Sequence, residues 1–135
     1  MLKDHLAKYY FDGNYNCAES VLRAANDYYE LGLHDRDMIL VGGYGAGIQT
    51  GNTCGAILGA VSVLSMKFIE KKAHESDNIK PVTTLFLEKC HARFENTLLC
   101  APIKEANFAE GVRCLKTVES ACDLLEETIK EYKAQ

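Results

Sequence analysis

The features that most readily assign a function are missing from this 135-residue chain. No C-x-x-C occurs, which removes zinc-ribbon and thioredoxin-type sites, and no C-x-x-C-H occurs to attach haem. No basic cluster tracks a phosphate backbone: 15 Lys and Arg face 19 Asp and Glu for a net charge of -4, which argues against nucleic acid as a partner. The longest apolar run, Ala56 to Met66, falls well short of the roughly 20 residues that cross a bilayer, and Lys67 ends it, so no membrane span is expected. Met1-Leu2-Lys3-Asp4-His5 lacks the apolar core of a signal peptide, and the expectation is a cytoplasmic address with reduced thiols. Alternating apolar and polar runs bounded by turns are absent as well, which leaves little room for strands.

What is present is helical periodicity. A 47% hydrophobic content suits one domain over residues 1–135, able to bury roughly two-thirds of its unfolded surface without disulfides. The expected fold is all-α, a compact bundle of about five to six helices around a central apolar helix at about 54–71. A short first helix carries Leu2, Leu6, Tyr9 and Tyr10 on one side and ends near Gly13. A second starts at a capping box of Asn16 and Glu19, buries Ala18, Val21, Leu22 and Ala25, and stops near Gly32. A short third opens at Asp35 or Asp37 and runs into the irregular stretch Gly42-Gly43-Tyr44-Gly45-Ala46-Gly47. The fourth is apolar around most of its circumference and so belongs in the centre, with Gly55, Gly59 and Ser62 thinning one side for a close neighbour or a cofactor. A polar link, Ala73 to Lys80, leads to Pro81 in the first turn of a fifth helix with the stripe Val82, Leu85, Phe86, Cys90 and Phe94. A break falls around Pro102, and the last helix buries Leu115, Val118, Cys122, Leu125, Ile129 and Tyr132, with Glu126 and Lys130 paired outside. Tyr9, Tyr10, Tyr28 and Tyr29 read as packing at a core edge or subunit interface, and these apolar faces are compatible with a homodimer.

Six cysteines divide by helix position. Cys90 and Cys122 sit inside apolar stripes, where a thiol is a small hydrophobe. Cys17 and Cys54 lie at helix starts, Cys100 in the break before Pro102 and Cys114 near the start of the last helix. There, free backbone N–H groups can bond a thiolate or a cluster sulfide, and the helix dipole is expected to lower the pKa of Cys17 and Cys54. The spacing is too wide for a local site, so a shared site must be assembled by folding.

These residues carry a resemblance. Asn16-Cys17-Ala18-Glu19-Ser20-Val21-Leu22, the approach Gly42 to Ile48 into Thr53-Cys54-Gly55-Ala56-Ile57-Leu58-Gly59-Ala60, and then Cys100 and Cys114 resemble the redox-active family named C_GCAxxG_C_C. By position its four cysteines fall on Cys17, Cys54, Cys100 and Cys114. The family name puts cysteine directly before Ala-x-x-Gly, whereas here Gly55 holds that place and the thiol comes one residue earlier. The resemblance implies redox activity and suggests an iron-sulfur cluster on the four thiols.

Four thiolates suit a 2Fe-2S or 4Fe-4S cluster for electron transfer, with Gly45 and Gly47 letting backbone amides approach it and a redox protein as partner. Zinc also accepts four thiolates, and a structure with no cofactor is the remaining case. Two further readings stay open. One is a thiol-disulfide oxidoreductase with Cys17 or Cys54 attacking, and the other is a helical binding or assembly module whose cysteines are structural. Nucleotide binding fails on the residues: Ile48 stands where a P-loop needs lysine, and Thr50 stands where the dinucleotide fingerprint needs glycine. His5, His34, His74 and His91 are scattered among polar neighbours and read as surface residues.

Overall fold

A capped start at Asn16, one thinned helix face and one buried helix organise the chain. The computed structural model describes residues 1–134, which form α1 (Cys17–Tyr29), α2 (Asp35–Met38), α3 (Gly55–Phe68), α4 (Ile79–Arg93), α5 (Cys100–Asn107) and α6 (Leu115–Ala134). The described residues contain no strand, only isolated backbone bridges. The fold is all-α.

The expected capping box opens α1: the Asn16 side chain accepts the Glu19 N–H at 3.0 Å and Glu19 accepts the Asn16 N–H at 3.1 Å. One face of α1 then buries Ala18, Val21, Leu22 and Ala25 against α3. The crossing is close because Gly59 has no side chain; a Cβ there would lie 2.7 Å from the Ala18 carbonyl oxygen. α3 also packs on α4 and α6, with Ala56, Ile57, Ala60, Val63 and Leu64 fully buried, so it is the central helix.

Several boundaries differ from the sequence reading. α3 ends at Phe68 rather than Lys71, because Ile69 turns extended and the exposed Glu70, Lys71 and Lys72 give the helix no apolar face to continue. The N-terminal segment is a 3-10 turn (Leu2–His5) followed by a wide π-type turn (Lys8–Asp12), and it still buries Leu2, Leu6 and Tyr10. Pro102 marks no break. It sits in the first turn of α5, where a missing N–H costs nothing, and the break comes earlier, before Cys100. Glu126 is inside rather than outside, 6% exposed, accepting the Leu2 N–H at 3.1 Å and the Tyr28 hydroxyl at 2.7 Å, and so it fastens the N-terminal turn to α6.

Candidate functional site

Every one of the four candidate cysteines stands at the N-terminus of a helix. Cys17 is the first residue of α1, Cys54 the residue before α3, Cys100 the first of α5 and Cys114 the residue before α6. All four line one cavity of about 130 Å³, walled otherwise by Ala46, Ile103, Lys104, Thr117 and Val118. Folding therefore gathers thiols from four separate segments. Cys90 and Cys122 are absent from this cavity and fully buried in the core, as their stripes imply. All six cysteines are free thiols.

Local contacts explain the convergence. The loops that carry Cys54 and Cys100 clasp each other through an antiparallel bridge between Thr53 and Leu99. In it the Cys54 N–H donates to the Leu98 carbonyl at 2.8 Å and the Cys100 N–H to the Asn52 carbonyl at 2.6 Å. The Cys114 N–H donates to the Tyr10 hydroxyl at 3.0 Å, while the Arg113 guanidinium stacks 4.5 Å from the Tyr10 ring and bonds the Tyr10 carbonyl. Tyr10, read from the sequence as packing alone, thus also holds the fourth cysteine.

The glycine-rich stretch reaches Cys17 through an unusual backbone. Ala46, Gly47, Ile48 and Gln49 all have positive φ, forming a left-handed turn. For Ala46, Ile48 and Gln49 this costs on the order of 1–2 kcal/mol each, and strain of this kind collects at functional sites. Asn16 anchors the stretch by donating to the Gly42 carbonyl at 2.9 Å. Gly45 and Gly47 lie behind the cavity wall rather than on it. A Cβ on Gly45 would meet the Asn16 amide nitrogen at 2.7 Å, and one on Gly47 the Asn52 backbone at 2.5 Å and the Cys100 Cβ at 2.7 Å. The residue between them, Ala46, lines the cavity. Gly55 has a similar part: its missing Cβ would fall 2.6 Å from the Cys17 Sγ. The exchange of glycine and cysteine relative to the family name therefore leaves Cys54 on the cavity and makes room for Cys17.

Burial overturns the expected acidity of these thiols. Desolvation pushes Cys54 up to about 12, with the neighbouring Cys17 and Cys100 raising it further and the Ile57 and Ala56 N–H groups opposing. Cys17 is also raised, by burial first, against the pull of the Ala46 and Ala18 N–H groups and with Cys100 and Cys114 adding repulsion. Burial likewise raises Cys114, where Lys104 and Arg113 pull down and Cys100 pushes up. The helix termini do favour thiolate, but here the loss of water outweighs them. The mutual repulsion has a second meaning: these sulfurs sense one another's charge.

A family described as "Putative redox-active protein (C_GCAxxG_C_C)" matches residues 15–128. The chain belongs to this family. Membership is consistent with a redox role and spans all four cavity cysteines. No curated protein and no solved structure matches the chain. Beyond the family's cysteines, the site includes Ala46, Ile103, Lys104, Thr117 and Val118, which sequence reasoning did not select. For Thr117 and Val118 the available signal was their place one turn into the helix that follows Cys114.

Proposed function

We propose that this protein binds an iron-sulfur cluster through Cys17, Cys54, Cys100 and Cys114 and carries electrons between redox proteins. The observation that carries this reading is the convergence of four cysteines, each at a helix N-terminus, on one small cavity. The donor set fits: four thiols are the usual complement of a 2Fe-2S or 4Fe-4S centre, and no carboxylate or imidazole lines the cavity. At about 130 Å³ the space is well below the roughly 300–1,000 Å³ of organic cofactor pockets.

Bound there, an iron-sulfur cluster supplies one-electron chemistry. The chain's part is electrostatic. Each cysteine would give up its proton on ligation, and for Cys17, Cys54 and Cys114, which burial raises, iron would offset the charge that burial penalises. Four helix N-termini, the Ala46 and Ala18 amides beside Cys17, and the cations Lys104 and Arg113 near Cys114 favour the negative charge that results. Ile103 and Val118, both buried, keep water from one side.

The alternatives have less support. Zinc also accepts four thiolates and is told from iron by metal analysis; among the described residues no group of three or more His, Cys, Asp or Glu is arranged to hold a metal ion. Raised thiols disfavour attack at neutral pH, the requirement of a thiol oxidoreductase. A cavity among four thiols is not what purely structural cysteines need. The test is purification without oxygen, followed by iron, sulfide and zinc analysis and an absorption spectrum. Iron and sulfide together with visible thiolate-to-iron bands are expected, lost in Cys54→Ser and kept in Cys122→Ala. Protein that remains colourless and iron-free after anaerobic reconstitution overturns the reading.

A further inference from the structure

One hydroxyl on the cavity wall has no partner. Thr117 is 3% exposed and lines the same cavity as the four cysteines, yet its Oγ1 makes no hydrogen bond among the described residues. A threonine in a helix ordinarily donates to the carbonyl four residues back, and Thr128 of α6 does so, to Leu124 at 2.6 Å. Thr117 stands in the first turn of α6, where four residues back is Arg113, outside the helix with φ 52°. The Arg113 carbonyl already accepts from the Ala109 N–H at 3.0 Å. Thr117 Oγ1 makes no bond to it or to any other group among the described residues, and a buried hydroxyl left unmet costs about 1–3 kcal/mol.

We infer that Thr117 is a positioning residue for the cofactor: its hydroxyl donates to a sulfur of the bound cluster or of a ligating thiolate and so sets the reduction potential. This rests on the iron-sulfur reading above. Sulfur is the acceptor the cavity offers, since its other walls are apolar or cationic apart from backbone. A hydrogen bond to sulfur stabilises the more negative, reduced state and raises the potential. Among the described residues that line the cavity no other carries a hydroxyl, and the Tyr10 hydroxyl behind Cys114 accepts the Cys114 N–H.

The experiment compares wild type, Thr117→Val, Thr117→Ser and Thr128→Val, each reconstituted anaerobically with iron and sulfide and titrated potentiometrically. Valine keeps the shape and removes the donor, and its apo form is expected to melt no lower than wild type because an unmet hydroxyl has gone. With the cluster loaded, Thr117→Val is expected to be easier to oxidise by about tenfold, which is about 59 mV for one electron. Thr117→Ser is expected to restore most of the wild-type potential, and Thr128→Val to leave it in place. Loaded wild type and Thr117→Val with equal potentials overturn this inference and leave the cluster reading standing. Failure of wild type itself to take up iron and sulfide removes both.

Discussion

Cys54 shows how one residue type changes meaning with its surroundings. A cysteine before a helix reads from the chain as an acidic, reactive thiol, but 5% exposure sets the balance the other way. Its folded pKa, about 12, lies above the 9.0 of an ordinary thiol, so the neutral thiol is the form that folding favours. The sign follows directly: the stability this group contributes is complete below about pH 9 and is lost as pH rises through about 12. Iodoacetamide labelling of the apo protein with mass mapping checks this. Cys54 and the core residue Cys90, also pushed up to about 12 by burial, are expected to stay unmodified at pH 7.5 and to react once urea unfolds the chain. Rapid labelling of folded Cys54 at that pH would instead support a nucleophilic thiol.

Helices supply the site through their ends and the fold through their faces. α1 and α3 must approach closely for Cys17 and Cys54 to share a cavity, and the glycines on α3 permit it at two levels. Gly55 clears the Cys17 sulfur, and Gly59, one turn on, clears the Ala18 carbonyl. Gly59→Ala should force the helices apart and destabilise the apo protein by about 1–3 kcal/mol, read from urea denaturation. Iron uptake should fall in the same variant, because the displacement propagates to the first turns of both helices. That α3 would be thinned on one side was legible in the sequence; which helix fills the groove was not, since the partner at Ala18 is about 40 residues away along the chain. α5 escaped sequence reading altogether. At eight residues with a proline in its first turn it carries too few periodic positions to be recognised, and Cys100 was consequently read as a loop residue.

At the scale of the molecule the four cysteines bring the N-termini of α1, α3, α5 and α6 to one cavity, whereas the rest of the core is ordinary helix packing. No helix of the described residues is long and apolar enough to cross a membrane. A cluster bound in that cavity acts on the native state alone and stabilises it by mass action. Calorimetry under argon should find the reconstituted protein melting above the apo form, by about 4 °C for each kcal/mol of linkage, with the gain reversed on oxidative loss of the iron. Equal melting temperatures for loaded and unloaded protein would mean that iron is held somewhere other than among these four helix ends.

The sequence by itself determined the helical class, the capped start of α1, the central place of α3 and the separation of four candidate cysteines from two core ones, because periodicity, capping and apolar patterning are local properties of neighbouring residues. Only the tertiary structure decided that the four thiols meet, that burial raises Cys17, Cys54 and Cys114, that Tyr10 and the left-handed turn at Ala46 support them, and that Thr117 lines their cavity without a partner. Those outcomes depend on desolvation and on contacts between segments remote in the chain, and both come into being only when the helices pack.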